Sequence, residues 1–285
     1  MNRQMSEKEL LMMNHANEAS RRRFWMHTVA VINSNRVIGP DPFNRGKQAD
    51  AEEFGTGLIA KWADRHFILT AKHVLKDAKP SDLRIFWCPG GIIEPKKPEE
   101  LGKGDVLDGI PLTDATSKIH LCDWEDLAMI TVPPEAIGEN AEFVDLTKDW
   151  IDPPPGERVH CFGFPSDSKF VWETTVINGK TEKNLAIYPG TFEGEVIAKP
   201  SFLTDDFSEE LHYLVPFERA AEGKHPHGYS GGATWWESDK MPIVWHPNFK
   251  FAGTCTSCYK NGGIEQVIKA SVVRKFVEEV FGKAV

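Results

Sequence analysis

Short apolar runs recur along most of the chain, separated by polar stretches and by turns that contain glycine, proline or asparagine. Runs of this length with such boundaries are typical of β-strands. In the first half they predict strands over residues 25–32, 57–61, 66–70, 83–87, 119–121 and 127–132. In the second half they predict strands over residues 159–164, 171–176, 185–188, 191–198, 213–216, 233–236, 243–245 and 251–256. The pattern therefore predicts a chain built mainly of strands.

A proline-rich segment, Pro153-Pro154-Pro155-Gly156, separates the two groups of strands. Proline has no backbone N–H and cannot join the interior of a sheet, so we interpret this segment as a connector. The chain of 285 residues is long enough for two domains or for one large all-β unit. We predict one strand unit over residues 24–150 and another over residues 156–270.

Both ends of the chain carry helical patterns. Ser6-Glu7-Lys8-Glu9 has the form of a capping box, and the spacing of apolar residues after it predicts a helix over about residues 7–22. We interpret residues 1–23 as an appendage packed on the strands, with a partner-binding helix as the alternative. A second periodic run over residues 271–281, followed by Gly282, predicts a C-terminal helix within residues 271–285.

Composition and charge argue against several classes of protein. Hydrophobic residues make up 41% of the chain, which is enough for two cores and too many for a disordered protein. The net charge of −9 argues against a nucleic-acid-binding protein, which usually carries a basic face. No stretch reaches the ~18–20 apolar residues of a membrane span. The N-terminus lacks the apolar region of a signal peptide, so we expect a cytoplasmic protein.

The cysteines favour a reduced protein without a metal or other cofactor. They are Cys88, Cys122, Cys161, Cys255 and Cys258, and an odd set without a secretion signal favours free thiols. Cys255 and Cys258 form a C-x-x-C pair, but no second such pair supplies the remaining ligands of a structural zinc site. On a regular strand the two would point to opposite faces. We therefore predict ordinary thiols at both positions.

The stretch richest in chemical information is His227-Gly228-Tyr229-Ser230-Gly231-Gly232, which places a serine in a glycine-rich turn between predicted strands. Glycine on both sides allows backbone conformations closed to other residues, so the turn can present Ser230 on a tight bend. The amide N–H groups of Gly228 and Ser230 can then hold an oxyanion. Glycine beside serine is also common in ordinary turns, and the motif alone leaves that alternative open.

Two segments upstream carry a histidine and an aspartate. Thr70-Ala71-Lys72-His73 ends an apolar strand, and Asp126-Leu127-Ala128-Met129-Ile130 begins one. Together with Gly228-Tyr229-Ser230-Gly231-Gly232, these motifs resemble those of the trypsin-like (chymotrypsin-fold) serine peptidases, in that family's order of His, Asp, Ser. The resemblance covers roughly residues 24–282, and it is to bacterial-type intracellular members without a PDZ module.

The resemblance implies an all-β fold of two six-stranded antiparallel β-barrels, with His73 and Asp126 on the first barrel and Ser230 on the second. It also implies a serine endopeptidase that cuts a protein or peptide substrate. In that reaction His73 removes the proton of Ser230, and Asp126 orients His73. The amides of Gly228 and Ser230 would form the oxyanion hole.

The resemblance further implies where a substrate binds. Gly253, Thr254 and Cys255 match the strand after the nucleophile, whose edge pairs with the substrate backbone in the family. Lys224, six residues before Ser230, matches a position that often lines the primary specificity pocket. A lysine there would favour an acidic side chain before the scissile bond, through charge pairing.

One position departs from the secreted members of the family. Tyr229 stands where they carry an aspartate that captures the new N-terminus after zymogen cleavage. We therefore expect regulation by a protein partner, by substrate sequence or by ordering of the loop over residues 225–228. Two other functions remain as alternatives. One is an α/β-hydrolase esterase, because Gly228-Tyr229-Ser230-Gly231-Gly232 also fits G-x-S-x-G, and the other is a non-catalytic binding scaffold with a peptidase fold.

Overall fold

The computed structural model describes residues 24, 26–33, 54–87, 110–138, 141–165, 171–177, 180–186, 190–201, 203, 207–217, 228–237, 249–259 and 263–284. Several predictions fall outside these residues. They are the N-terminal helix over residues 7–22, the strand over residues 243–245, and the assignments of Cys88 and Lys224.

The first group of strands forms one curled sheet. Its strands are β1 (Thr28–Asn33), β2 (Phe54–Trp62), β3 (Arg65–Thr70), β4 (Leu83–Trp87), β5 (Ile110–Pro111), β6 (Lys118–Leu121), β7 (Ala128–Thr131) and β8 (Val144–Asp145). They lie in the antiparallel order β5-β4-β1-β2-β3-β7-β6, and β8 pairs in parallel with β2. The sheet has eight strands where six were predicted, because β5 and β8 contain two residues each and are too short to show a pattern.

The second group of strands forms a six-stranded sheet in the order β12-β9-β14-β15-β16-β13. Its strands are β9 (Arg158–Gly163), β12 (Gly190–Glu195), β13 (His212–Pro216), β14 (Ala233–Glu237), β15 (Phe249–Tyr259) and β16 (Ile264–Lys269). The strands β10 (Val171–Ile177) and β11 (Lys180–Ala186) pair with each other in a separate sheet. Among the described residues, the larger sheet has six strands, the number that the resemblance implies, but its strand β16 was not among the predicted strands.

The neighbouring strands β2, β3 and β7 are buried on both faces. One face of β2, β3 and β7, which includes Ile59, Ile68 and Ile130, forms the core of the first barrel. The opposite face, which includes Leu58 and Phe67, packs against the second sheet and the C-terminal helix. Burial on both faces explains why these strands appear in the sequence as continuous apolar runs, without alternation.

Short helices complete the fold. A single turn, α1 (Lys72–Leu75), follows β3, and 3-10 turns span Pro80–Asp82 and Pro134–Ala136. The predicted C-terminal helix is confirmed as α2 (Ala270–Phe281), which buries Val272, Val273, Phe276 and Val277 against both sheets. It ends at Gly282, whose φ of 84° suits glycine. In the part of the chain that the structure describes, no helix is long and apolar enough to cross a membrane.

Candidate active site

His73 and Asp126 meet where α1 faces the turn before β7. The backbone N–H of His73 donates to Asp126 Oδ1 at 3.0 Å, and His73 Nδ1 lies 2.7 Å from Asp126 Oδ2. An ionised carboxylate only accepts hydrogen bonds, so the ring proton is on Nδ1 and the lone pair of Nε2 is available as a base. The His73 side chain is 51% exposed, so a substrate can reach it.

Ser230 lies on a turn that packs against the strand leading to His73. The carbonyl oxygen of Ser230 accepts a hydrogen bond from the Thr56 N–H of β2 at 2.9 Å. The next residue, Gly231, has a φ of 85°, and a Cβ there would lie 2.9 Å from the Ala71 amide nitrogen and would overlap Thr70 Oγ1. Only glycine fits this position without displacing its neighbours. The structure thus places the serine turn directly against the end of β3, three residues before His73.

A buried threonine ties the serine turn to both barrels. Thr56 Oγ1 donates to the carbonyl oxygen of Gly228 at 2.6 Å and accepts from the Phe164 N–H at 2.9 Å. Its own carbonyl oxygen accepts from Thr70 Oγ1. The sequence analysis did not single out Thr56, which lies just before the strand predicted over residues 57–61. The available signal was a polar residue between Gly55 and Gly57 in an otherwise apolar run.

The hydroxyl of Ser230 points to β15. Its Oγ donates to the carbonyl oxygen of Thr256 at 3.1 Å. Among the described residues, no hydrogen bond joins Ser230 Oγ to His73. A hydroxyl carries one proton, so the hydrogen bond to Thr256 has to break before Ser230 Oγ can donate to Nε2 of His73.

The two N–H groups assigned to the oxyanion hole are not used inside the described part of the chain. Gly228 and Ser230 donate no backbone hydrogen bond there, whereas the amides of the next two residues do. Gly231 donates to the Cys255 carbonyl at 2.7 Å, and Gly232 donates to the Tyr229 carbonyl at 2.7 Å. Gly228 has a φ of 91°, a conformation that favours glycine. Within the described residues, neither predicted donor therefore has a hydrogen-bond acceptor.

The prediction that Gly253, Thr254 and Cys255 offer a free edge to the substrate was wrong. Gly253 and Thr254 pair with β14 on one side and with β16 on the other. Cys255 donates its N–H to the Gly232 carbonyl and accepts from Gly231, and its side chain is fully buried. The resemblance identified the strand but did not fix its register. Among the described residues, the stretch Ser257–Tyr259 pairs with β16 alone, so the open edge begins after Cys255.

The register of β15 shows that Cys255 and Cys258 do not point to opposite faces of the sheet, as a regular strand would require. An irregularity between Cys255 and Ser257 leaves Cys255 opposite Val267 and Cys258 opposite Glu265. Val267 and Glu265 are two residues apart on β16, so both cysteines face the same side of the sheet. No group of three potential metal ligands is present within the described ranges. A hydrogen bond with Cys161 and burial raise the pKa of the Cys255 thiol well above its ordinary value.

Comparisons with known proteins bear on the fold. No family model and no curated protein sequence matches this chain. Among solved structures, it is similar to a serine endoprotease from Yersinia pestis, with a TM-score of 0.50 and 17% identity over 93% of this chain and 66% of that one. It thus spans slightly under two thirds of that chain's length. It is also similar to human heparin binding protein, with a TM-score of 0.52 and 11% identity over 92% of this chain and 94% of that one.

A third similar structure is the scabies mite inactivated protease paralogue S-I1, with a TM-score of 0.49 and 14% identity over 92% of this chain and 97% of that one. The first two likenesses, together with the two curled antiparallel sheets, confirm the predicted fold. The strand after Ser230 rules out the α/β-hydrolase alternative, because β14 lies where that fold requires a helix. The chain therefore has the chymotrypsin-like fold of the trypsin-like serine proteases.

Proposed function

We propose that this protein is a serine peptidase in which Ser230, His73 and Asp126 act as nucleophile, base and orienting carboxylate. The observation that carries the proposal is that His73 is hydrogen-bonded to Asp126 at two points. The turn that carries Ser230 packs against Thr70 and Ala71, just before His73 in the chain. A histidine held at both its backbone N–H and its Nδ1 has one ring nitrogen left for proton transfer. This is the arrangement that a serine hydroxyl needs for activation.

The proposed reaction is acyl transfer in two steps. His73 Nε2 accepts the proton of Ser230 as Oγ forms a bond to the scissile carbonyl carbon, and the carbonyl oxygen becomes an oxyanion near the amides of Gly228 and Ser230. The C–N bond then breaks, and His73 gives the proton to the leaving amine. Water attacks the resulting ester with His73 again as the base, which releases the acid and restores Ser230.

We propose that an extended peptide substrate pairs with the open part of β15. Among the described residues, the stretch Ser257–Tyr259 pairs with β16 alone, and Thr256 just before it lies next to the Ser230 hydroxyl. Backbone pairing to a strand edge is a general mode of peptide binding. Lys224, which lies outside the described residues, remains our prediction for the primary pocket.

Labelling with a fluorophosphonate probe tests the proposed nucleophile. We expect the full chain to form a stable covalent adduct on Ser230, and Ser230→Ala to form none. Ser81→Ala, which removes an exposed hydroxyl that bonds Asp114, is the matched control and should label like the wild type. Thermal unfolding of each variant checks that the loss of labelling is not a loss of fold. A wild-type protein that is folded yet unlabelled at high probe concentration contradicts the proposal.

A non-catalytic binding scaffold is the second candidate function. One observation favours it, because Ser230 Oγ donates to the Thr256 carbonyl and not to His73. In that case a peptide library should yield ligands with equal affinity for the wild type and Ser230→Ala, and neither protein should cleave them or react with the probe. Cleavage products that appear with the wild type and not with Ser230→Ala decide for the peptidase.

We also propose that activity is controlled by a protein partner or by ordering of the loop over residues 225–228, and not by release of a new N-terminus. Tyr229 supports this, because its side chain is fully buried. The centroid of its ring lies 5.1 Å from that of Phe192 and 6.2 Å from that of Phe217. Such a position has no carboxylate to capture an ammonium group. The purified full chain should therefore degrade unfolded casein slowly on its own, and rapid degradation without any partner contradicts this proposal.

A further inference from the structure

A second acidic side chain lies directly behind Asp126. Glu125 Oε1 accepts a hydrogen bond from the Asp126 amide N–H at 2.9 Å. The other oxygen of this carboxylate, Oε2, lies 2.9 Å from Nε2 of His212, which belongs to β13. One carboxylate therefore joins the turn that carries Asp126, on the first barrel, to a strand of the second barrel.

The histidine of this pair is held in one tautomer. The Ser208 N–H donates to His212 Nδ1 at 3.3 Å, so Nδ1 acts as the acceptor and the ring proton lies on Nε2, facing Glu125. The side chains of His212 and Glu125 are only 4% and 11% exposed. A hydrogen bond shielded from water in this way is stronger than an exposed one, and leaving either partner alone is costly.

The carboxyl group of Glu125 is held in its anionic form. Burial raises the pKa of Glu125, but hydrogen bonds from His212 and from the Asp126 amide outweigh burial, and the pKa of Glu125 lies below its ordinary value. The positive charge of Lys72, on α1, also favours the anionic form of Glu125. From α2, Lys275 and Glu279 flank the neighbouring residue Trp124. A second negative charge therefore lies behind Asp126 at neutral pH.

We propose that Glu125 and His212 form a positioning pair for the His73–Asp126 couple. The proposal rests on the proposed peptidase function and deepens it. His212 fixes the Glu125 carboxylate, which in turn fixes the Asp126 amide and hence the peptide plane from which the Asp126 side chain projects. The charge of Glu125 also stabilises the imidazolium that His73 becomes during proton transfer. The base on the first barrel is thus positioned from the second barrel, which carries the nucleophile.

The pair is tested by the pH dependence of fluorophosphonate labelling in the full chain. In Glu125→Gln we expect the acid limb of the profile to move to lower pH by about half a unit, because a charge that favours protonated His73 is lost. The plateau rate should fall about tenfold, because Asp126 is held less firmly. His212→Phe should lower the plateau by a similar factor, and His212→Gln, which keeps a donor near the position of Nε2, should restore most of it.

Two comparisons make the test specific. Glu279 is a nearby acid whose carboxylate accepts a hydrogen bond from Trp124 and, among the described residues, has no bond to Asp126. Glu279→Gln should therefore leave both the acid limb and the plateau rate of labelling unchanged. The double variant Glu125→Gln/His212→Phe should be no slower than the slower single variant, because the two side chains act as a unit. Variants that lose thermal stability while keeping the wild-type profile show a purely structural pair and overturn the proposal.

Failure of the peptidase function itself is distinguished by NMR. The ring signals of His73 can be titrated whether or not the protein reacts with the probe. A titration midpoint that falls in Glu125→Gln and stays in place in Glu279→Gln supports the pair even in an unreactive wild type. An equal midpoint in all three proteins contradicts it, whatever the labelling shows.

Discussion

The two halves of the candidate site differ in how they are held. On the first barrel, His73 is fixed to Asp126 at two points, through its backbone N–H and through Nδ1. On the second barrel, the turn around Ser230 is equally well anchored, by Thr56 and by Cys255, but the hydroxyl of Ser230 donates to the Thr256 carbonyl. The proposed base is held at both its backbone and its ring, whereas the proposed nucleophile is held at its backbone and its hydroxyl points to Thr256.

This difference shows that the chain fixes the two halves by different means. The histidine half depends on a charge-assisted side-chain contact, which is strong because one partner is ionised. The serine half depends on glycines that permit close backbone approach, and on one buried hydroxyl, while Ser230 itself keeps a rotatable bond. A substitution in the first half should therefore change chemistry more than stability, and one in the second half should change both.

The largest effect is expected from breaking the histidine half with Asp126→Asn. If the amide oxygen keeps the bond to the His73 N–H, the amide NH₂ faces Nδ1 and forces the ring proton onto Nε2, where it prevents His73 from acting as a base. We expect the rate of labelling or peptide cleavage to fall by about 10³–10⁴-fold with little change in stability. Asp114→Asn, an exposed acid bonded to Ser81, is the control. A fall of less than tenfold contradicts the proposed role of Asp126.

The next effect comes from the backbone of the serine half. In Gly231→Ala, the new Cβ would overlap Thr56 O and Thr70 Oγ1 at a φ of 85°, so we expect a loss of about 3 kcal/mol or more in the free energy of unfolding. Gly156→Ala is the matched control, because its φ is 89° but no atom lies within 4 Å of the new Cβ. That variant should lose only about 1–2 kcal/mol. Urea unfolding measures both, and equal losses would show that backbone conformation alone matters.

A smaller effect is expected from Thr56→Val, which keeps the shape of the side chain and removes its hydroxyl. The Gly228 carbonyl and the Phe164 N–H would each lose a buried partner, at a cost of about 2–3 kcal/mol in the free energy of unfolding. Labelling should also slow, because the Gly228 carbonyl fixes the turn before Ser230. Thr56→Ser retains the hydroxyl and should lose less than about 1 kcal/mol. If the serine variant is as unstable as the valine variant, the hydroxyl is not what anchors the turn.

The smallest effect concerns a buried carboxyl behind the serine half. Glu265 on β16 is 1% exposed, and its Oε2 has no hydrogen-bond partner among the described residues. Burial raises the pKa of Glu265 well above its ordinary value. A carboxyl whose pKa is raised by folding stabilises the protein most at low pH, below its pKa in the unfolded chain. That stability is lost as the pH rises towards the pKa in the folded state.

Glu265→Gln removes this titration, so its stability relative to the wild type should increase as the pH is raised from 4.5 to 8. We expect a gain of about 1–3 kcal/mol at the upper end, measured by urea unfolding at each pH. Glu195→Gln, an exposed acid on β12, should show no such trend. A constant difference across this range contradicts the assignment of a protonated Glu265 to the folded protein.

Much of the fold could be predicted from the sequence because local signals agree with the final structure. The continuous apolar runs of β2, β3 and β7 and the periodicity of α2 are visible without tertiary information. In contrast, β16 was missed because Glu265 and Gln266 interrupt its apolar pattern, yet both are buried between neighbouring strands. Local polarity cannot reveal a carboxyl that is forced into a core by the strands around it.

The sequence by itself indicated which residues are candidates for the proposed chemistry, because the histidine, aspartate and serine each lie in a short motif with a local structural reason. Tertiary structure alone decided how they are supported. The irregularity after Cys255 sets which part of β15 is open, and Glu125 and His212 are 87 residues apart in the chain. Contacts between distant segments depend on strand register and barrel packing, and a register shift of one residue reverses the face of every side chain that follows. No pattern within a single segment carries that information.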